Sequence, residues 1–293
     1  MTDADCIPGI LTPLTPTLWR LTAPNGGPMT GPGTNTYFFG DASGVIVVDP
    51  GPNDATHLER IVAQAPAPIR TVAVTHTHRD HSPGAMPLAE RLGVPTAGMA
   101  PPATPENDHG FVPTQTLTDG DSVPVSAALA LRAVFTPGHA SNHLCYLTPD
   151  EILLTGDHIM QGATVVILPP DGDMQAYLDS LEKLTRMPLR AIAPGHGTVI
   201  DEPMTEINRV IAHRLARECK VASALSVKQD ATIDDLLPLA YDDVPSFLYP
   251  LARRSLEAHL IRLERHGAAV RLGGRWQDTG DGRLNAIVDA SLR

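Results

Sequence analysis

The chain is poor in aromatic residues and cysteine, and it has no long apolar run. Phe, Trp and Tyr make up 4% of the 293 residues, but a hydrophobic fraction of 42% still supplies enough aliphatic residues for a core, which argues against a disordered protein. The cysteines Cys6, Cys145 and Cys219 are odd in number and widely spaced, so they indicate no disulfide framework. Because no uninterrupted apolar run reaches about 18 residues, we expect no membrane span.

The first residues lack the pattern of a secretory signal. The segment Met1 to Asp5 is acidic and has no basic region ahead of an apolar stretch, which argues against a signal peptide. The absence of a disulfide framework likewise favours a reducing compartment. We therefore predict a soluble, cytoplasmic protein without a membrane partner, and a homodimer is compatible with the sequence.

Basic residues are scarce in the first two thirds of the chain. Residues 1–203 carry 9 Lys and Arg against 21 Asp and Glu, whereas residues 204–293 carry 13 against 12, within a net charge of -11. An acidic body repels a polyanion at long range. Nucleic acid is therefore a less favoured substrate than a small molecule.

A dense group of metal-capable side chains follows the apolar run 72–74. The pattern H-x-H-x-D-H places His76, His78, Asp80 and His81 within six residues. Imidazole suits Zn, Fe, Ni and Cu, while a carboxylate neutralises charge and can turn toward a second ion. Few structural roles need this mixture, so the cluster predicts half of a two-metal site.

Three further candidate ligands follow predicted strands elsewhere in the chain. Short apolar runs bounded by Gly and Pro predict buried strands, and three of them lead into turns that carry His139, Asp157 and His196. The run 45–48 leads in the same way to Asp49, which we expect to hold a ligand histidine by its other ring nitrogen. Strands that alternate with helical patterns indicate a layered body of strands and helices.

Seven ligands are what two ions sharing one carboxylate require. The predicted ligands are His76, His78 and His139 for the first ion, Asp80, His81 and His196 for the second, and Asp157 as the bridge between them. Two ions roughly 3.5–4 Å apart can share a hydroxide beside a polarised carbonyl or phosphoryl oxygen. Asp157 and Asp80 are therefore the candidate catalytic carboxylates, and Asp80 could pass a proton to the leaving group. We expect two divalent ions, Zn first, with Fe or Mn also compatible.

Capping signals and periodicity predict helices on either side of this loop and in the middle of the chain. Ser82 is the predicted N-cap of a helix that has Pro83 at its first position and Gly93 as its stop. Leucines at helical spacing predict another helix from Met174 to Met187.

The character of the sequence changes near Pro203. Helical patterns follow, and the glycine pair Gly273-Gly274 between two short strand-like runs predicts a β-hairpin. Three helices and a hairpin indicate a winged-helix module. We therefore predict a catalytic domain at residues 1–203 and a winged-helix-like domain at residues 204–293.

The C-terminal region concentrates arginine between residues 251 and 275. The arginines are Arg253, Arg254, Arg262, Arg265, Arg271 and Arg275. A basic helix and wing could follow a phosphate backbone. The same residues could instead form a solvated face of salt bridges, or a wall that closes the active site. The sequence leaves these three interpretations open.

The ligand pattern resembles that of the metallo-β-lactamase fold superfamily. The resemblance covers about residues 15–200 and includes the loop 33–37 and the Asp-Pro-Gly turn at 49–51. It implies an α+β fold, a four-layer αβ/βα sandwich with the metals at one edge of the paired sheets. It also implies that the seven positions above carry the family's metal-binding roles.

Within the superfamily, the lactamase-β-2 type and the glyoxalase-II-like group are the closest in pattern. The stretches 136–143 and 169–174 and the winged-helix tail resemble the lactamase-β-2 type most of all, because glyoxalase II ends in a different helical segment. Class B β-lactamases generally use altered ligands at the second metal, so the resemblance does not imply antibiotic hydrolysis.

The resemblance and the ligand set together predict a metal-dependent hydrolase. A metal-bridging hydroxide would attack an ester, thioester, lactone or phosphodiester. One alternative is a single-stranded RNA endonuclease of the lactamase-β-2 type, and another is a mononuclear iron oxygenase, since some relatives keep the histidines but use one iron and oxygen. A small-molecule substrate is the preferred partner over RNA.

Overall fold

The computed structural model of the protein describes residues 6–291. The acidic segment Met1 to Asp5, on which the prediction about a signal peptide rests, lies outside the described residues. Within the described part of the chain, every helix is too short or too polar to cross a membrane.

Strands fill the first two thirds of the chain. In chain order they are β1 Leu11–Thr15, β2 Leu18–Thr22, β3 Asn35–Asp41, β4 Gly44–Val48, β5 Ile69–Ala73, β6 Thr96–Gly98, β7 Gln115–Thr116, β8 Ser122–Pro124, β9 Ala130–Phe135, β10 Leu144–Leu147, β11 Ile152–Gly156 and β12 Ala191–Pro194. They form one sheet in the order β1-β2-β3-β4-β5-β6-β7 and another in the order β12-β11-β10-β9-β8. The last strands, β13 Asp230–Ala231, β14 Ala269–Leu272 and β15 Arg275–Asp278, form a small separate sheet in the order β13-β15-β14.

The helices of the described residues are α1 Ala55–Gln64, α2 Ala85–Leu92, α3 Met174–Thr185, α4 Pro203–Lys228, α5 Ile233–Ala240, α6 Tyr249–Arg265 and α7 Arg283–Ser291, with a 3-10 turn at Ser246–Leu248. Helices α1 and α2 cover the outer face of the first large sheet, and α3 with the start of α4 covers the outer face of the second. Helices α5, α6 and α7 pack mainly in the C-terminal region.

Strand β4 shows why the sheets are buried on both sides. All five of its residues are buried. Because successive side chains alternate between faces, Val45 and Val47 pack with α1 and α2, whereas Ile46 and Val48 point into the core between the two sheets. A strand that is buried on both faces reads as an uninterrupted apolar run, as this one does.

The second sheet is also buried on both faces, by the first sheet on one side and by other helices on the other side. Leu144 and Leu154 lie in the core between the sheets, while Cys145 and Leu153 pack on the other side with α3 and the start of α4. The layers are therefore helix, sheet, sheet and helix, which confirms the predicted four-layer sandwich.

The structure confirms the predicted start of one helix and corrects that of another. Helix α3 begins at Met174, and the Asp173 side chain caps it by accepting from the Ala176 amide. The predicted cap at Ser82 is wrong: α2 begins at Ala85 with Gly84 as its N-cap. The Ser82 hydroxyl instead donates to Asp108 Oδ2 at 3.0 Å. The loop that carries the H-x-H-x-D-H cluster continues through Ser82, so this side chain faces the loop after β6 and not the start of a helix.

The C-terminal region has its own apolar core. Trp276 from the hairpin is fully buried among residues of α4, α5 and α6, including Leu225, Leu236 and Leu260. The predicted hairpin is confirmed, and α7 is an additional helix that the sequence patterns did not predict. Helix α4 belongs to both parts, since Ile207 packs on the second large sheet. The boundary between residues 203 and 204 stays a prediction.

Candidate metal centre

Four strands of the two sheets end at one edge of the sandwich. The loop after β5 carries the H-x-H-x-D-H cluster, and the turns after β9, β11 and β12 carry His139, Asp157 and His196. The structure brings all seven predicted ligands into two adjacent groups. Their convergence follows from the topology, since β11 and β12 run parallel and end side by side.

The first group consists of three histidines. Their facing nitrogens are His76 Nε2, His78 Nδ1 and His139 Nε2, with 3.0 Å between the first pair and 2.9 Å between the second. The His76 side chain is buried, and the His139 side chain is 9% exposed. Three imidazole nitrogens around one point are a donor set that suits zinc or a similar ion.

The second group combines two histidines with two carboxylates. Asp80 Oδ2 lies 3.2 Å from His196 Nε2 and 3.5 Å from His81 Nε2. Asp157 faces both groups: its Oδ1 lies 3.3 Å from His81 Nε2 and from His196 Nε2, and its Oδ2 lies 3.6 Å from His139 Nε2. A carboxylate in this position has the geometry of a bridge.

Asp49 supports one histidine of each group. Its Oδ2 accepts from His81 Nδ1 at 2.9 Å, which leaves His81 Nε2 facing the centre. The same carboxylate accepts from the Thr75 amide and hydroxyl, each at 2.7 Å. The Thr75 hydroxyl in turn accepts from His76 Nδ1 at 3.0 Å. Asp49 therefore orients two ligands, one of them through Thr75, as expected for a carboxylate behind a metal site.

Main-chain carbonyls hold two of the remaining histidines. His139 Nδ1 donates to the Val166 carbonyl at 2.7 Å, and His196 Nδ1 donates to the Gly33 carbonyl at 3.2 Å. Each ring thus presents Nε2 to the centre. Sequence patterns did not identify these carbonyls or Thr75, because a backbone acceptor carries no residue signature and a threonine can serve many roles.

Several buried polar atoms at the centre have no hydrogen-bond partner among the described residues. They are His81 Nε2, His196 Nε2 and Asp157 Oδ1. Buried polar atoms are nearly always satisfied, so such a cluster calls for a bound group. Since the atoms are imidazole nitrogens and a carboxylate oxygen that converge, a divalent metal fits them.

Glycine at position 195 makes the close packing of this centre possible. A Cβ at Gly195 would lie 2.8 Å from His81 Cε1 and 2.9 Å from Asp157 Oδ1. Any side chain would therefore displace two candidate ligands.

Charge is distributed unequally between the two groups. Burial, reinforced by His139, lowers the pKa of His78 to about 3, so that ring stays neutral. Burial also disfavours the charged form of His196, but Asp157 and Asp80 outweigh it and raise its pKa to about 9. The carboxylates make the second group strongly attractive to a cation, whereas the first offers neutral lone pairs.

A cavity of about 250 Å³ opens from the centre. His78, Asp80, His139 and Asp157 form its floor. The remaining lining residues are mostly apolar and come from four loops: Met29, Arg79, Glu106, Met160, Val165, Val166 and Leu168. Substrate that reaches the centre therefore meets an apolar wall.

Two other histidines lie behind the first group. His143 and His158 are fully buried, and the His143 ring lies 5.0 Å from the His76 ring and 5.8 Å from the His158 ring, measured between centroids. Neither belongs to the two groups of candidate ligands. Burial lowers the pKa of His158 to about 3, so it packs as a neutral ring.

The four-layer sandwich and its His/Asp centre define a protein of the metallo-β-lactamase type, and sequence comparison supports this class. Residues 29–196 match the Metallo-beta-lactamase superfamily, and residues 232–276 match the Beta-lactamase associated winged helix domain. The chain belongs to the metallo-beta-lactamase superfamily, which confirms the resemblance read from the sequence.

Individual relatives match over most of the chain. The Beta-lactamase-like protein 2 homolog of Drosophila melanogaster is 32% identical over 281 residues, covering 89% of this chain and 92% of that protein. The Atrochrysone carboxyl ACP thioesterase of Aspergillus fumigatus is 32% identical over 217 residues, covering 72% and 66%. A beta-lactamase domain protein from Burkholderia ambifaria has the same fold, with a TM-score of 0.79 and 22% identity over 94% of this chain and 96% of that one. The family and its thioesterase relatives are consistent with hydrolysis.

Proposed function

We propose that the protein is a two-metal hydrolase that cleaves a thioester or ester of an apolar acyl group. The observation that carries this proposal is the apolar cavity directly above two adjacent groups of metal-type ligands. The named thioesterase among its relatives supports the same reaction class. Zinc as the metal and a cytoplasmic location remain predictions.

In this proposal the seven side chains keep the metal-binding roles predicted from the sequence. His76, His78 and His139 would hold one ion, Asp80, His81 and His196 the other, and Asp157 would bridge them. Two ions held there supply a nucleophile from water at neutral pH and polarise the scissile carbonyl.

Asp80 is our candidate for the proton transfer to the leaving group. Its side chain is 30% exposed, against 12% for Asp157, and it lines the cavity. Its Oδ2 faces His196 and His81, so the carboxylate stays oriented while it contacts substrate. The side chains of Val165, Val166 and Leu168 would exclude water from the acyl group.

The arginines of the C-terminal region favour this reading over cleavage of RNA. Each has an acceptor within the chain: Arg253 with Asp234, Arg254 with the Pro169 carbonyl and Glu257, Arg262 with Glu218, Arg265 with Asp173, Arg271 with Glu257, and Arg275 with Asp230. These acceptors compete with phosphate for the guanidinium groups. Arg79 is the one Arg or Lys among the residues lining the described cavity, beside Glu106.

A substrate panel tests the proposal. Protein loaded with zinc or manganese is given acyl thioesters and esters of increasing chain length, a lactone and single-stranded RNA. We expect thioester or ester hydrolysis that improves with the length of an apolar acyl chain and is lost in Asp157→Ala and His76→Ala. Activity unchanged in both variants contradicts the metal centre, and efficient RNA cleavage contradicts the substrate class.

Metal analysis separates the hydrolase from the oxygenase alternative. Protein prepared without chelators should contain two divalent ions per chain and take up no oxygen with sulfur substrates. A single iron with sulfur-dependent oxygen uptake would instead support the oxygenase.

A further inference from the structure

Helix α4 buries one arginine against the wall of the cavity. Arg214 is 3% exposed, and among the described residues no carboxylate forms an ion pair with it, whereas Asp243 pairs with Arg217 one turn further along α4. Burial of a charged group costs several kcal/mol unless other contacts compensate. Arg214 therefore needs a local reason for its position.

One contact of Arg214 is to the loop above the first group of ligands. Its Nη2 donates to the Val165 carbonyl. The next carbonyl, that of Val166, accepts from His139 Nδ1 at 2.7 Å. The side chains of Val165 and Val166 both line the cavity. Arg214 thus holds the peptide segment that orients one candidate ligand and forms the wall against substrate.

A second contact of Arg214 is to Tyr177 on helix α3. The guanidinium carbon lies 5.2 Å from the centre of the Tyr177 ring, a cation-π distance. The Tyr177 hydroxyl donates to the His158 carbonyl at 2.8 Å, next to the candidate bridge Asp157. Tyr177 also packs against the turn before His139, since a Cβ at Gly138 would lie 2.3 Å from Tyr177 Cα.

We propose that Arg214 is a positioning residue through which the C-terminal region sets the geometry of the metal centre. It acts on His139 through Val165 and Val166, and on the turn of Asp157 through Tyr177. The expected effect of Arg214 on catalysis rests on the proposed function. Its expected effect on metal affinity does not. Residues that orient ligands typically contribute about 10- to 100-fold to metal affinity or activity.

Three variants test this role in the full-length protein. Arg214→Met keeps the length of the side chain but removes the donor and the charge, and Arg214→Lys restores a donor and a charge. Arg253→Met is the matched control, because Arg253 lies in the same C-terminal region but is 43% exposed and pairs with Asp234 in α5.

The first readout is zinc affinity measured by competition with a chelator. We expect Arg214→Met to bind zinc about 10-fold more weakly or worse. Arg214→Lys should recover most of the loss, and Arg253→Met should match the wild type. Equal zinc affinity in Arg214→Met and the wild type overturns the proposal.

The second readout is hydrogen exchange of the segment 163–168, which depends on neither metal nor substrate. We expect faster exchange there in Arg214→Met, with the strands of both sheets unchanged. If Arg214→Met does not fold, Tyr177→Leu takes its place, and it should weaken zinc binding because it removes both the ring that Arg214 contacts and the bond to the His158 carbonyl. Zinc affinity unchanged in Tyr177→Leu would then contradict the proposal.

The two readouts keep this inference separate from the proposed function. A wild-type protein that binds zinc but hydrolyses no ester or thioester refutes the substrate class and leaves the role of Arg214 intact. Normal hydrolysis in the wild type together with unchanged exchange, affinity, kcat and KM in Arg214→Met refutes the positioning role and leaves the hydrolase intact.

Discussion

Two buried carboxylates, one in each part of the molecule, differ in how their negative charge is compensated. Glu218 in α4 is 4% exposed, and its two oxygens are paired with Arg262 Nη1 and with His259 Nδ1. Asp157 is 8% exposed, and its Oδ1 faces His81 Nε2 and His196 Nε2 at 3.3 Å, but neither contact has hydrogen-bond geometry. The first carboxylate is satisfied by the chain, whereas the second calls for a cation from outside.

This comparison distinguishes structural from functional burial. A buried charge that is fully paired contributes to the architecture, and loss of its partner destabilises the fold. A buried charge that faces other incompletely satisfied ligands is held in place by the fold and is available for a ligand. We therefore expect the two parts of the molecule to respond to substitution in these different ways.

The largest expected effect is on catalysis at Asp157. Asp157→Asn weakens the candidate bridge, and kcat/KM should fall by more than about 100-fold, since residues that only orient metal ligands already contribute about 10- to 100-fold. The free energy of unfolding of the metal-free protein should fall by less than in Glu218→Gln, because His196 loses one of the two carboxylates that raise its pKa but keeps Asp80. Steady-state kinetics and urea denaturation measure the two quantities. A large loss of stability with normal kcat/KM would mean that Asp157, like Glu218, has a structural and not a catalytic role.

Glu218 should show the opposite pattern. Glu218→Gln leaves Arg262 and His259 without their carboxylate, and the free energy of unfolding should fall by about 3 kcal/mol. Activity per folded molecule should remain within about twofold of the wild type, because Glu218 lies outside the groups of candidate ligands. Urea denaturation with activity assays below the transition tests this, and a specific loss of zinc binding would break the comparison.

Asp49 should have an intermediate effect. Asp49→Asn weakens the hold on His81 and on Thr75, so zinc affinity should fall by about 10- to 100-fold. Asp54→Asn is the control, because Asp54 caps helix α1 through the His57 amide and lies outside both groups of candidate ligands. Zinc affinity that falls equally in both variants would mean that Asp49 acts only through general stability.

The smallest effect is expected at the exposed arginines. Arg253→Ala breaks an ion pair between side chains that are 43% and 72% exposed, and the free energy of unfolding should change by less than about 1 kcal/mol. Binding of single-stranded RNA should be weak in the wild type and unaffected by this substitution. RNA binding that weakens with salt and in Arg253→Ala would instead support the interpretation that the arginines follow a phosphate backbone.

Much of the centre was predictable because its signal is local. Four of the seven candidate ligands lie within six residues, and the other three follow apolar runs that end at the same edge of the sandwich. The buried strands were predictable for the same reason, since β4 is apolar on both faces.

The supporting contacts were less predictable because they join distant segments. The Val166 carbonyl lies 27 residues from His139 along the chain, and the Gly33 carbonyl lies 163 residues from His196. Ser82 was misread because Ser-Pro is a common helix start, whereas here the loop delays the helix to Ala85. The role of the arginines could not be read from charge alone, since their acceptors include the Pro169 carbonyl and Asp173 in another part of the chain.

Metal stoichiometry tests the central claim most directly. Zinc bound per chain can be measured by elemental analysis after equilibrium dialysis for the wild type, His139→Ala and His196→Ala, each of which removes a ligand from a different group. The account predicts two zinc ions in the wild type and close to one in each variant. A wild-type protein that binds no more than one ion, or variants that both retain two, would contradict it.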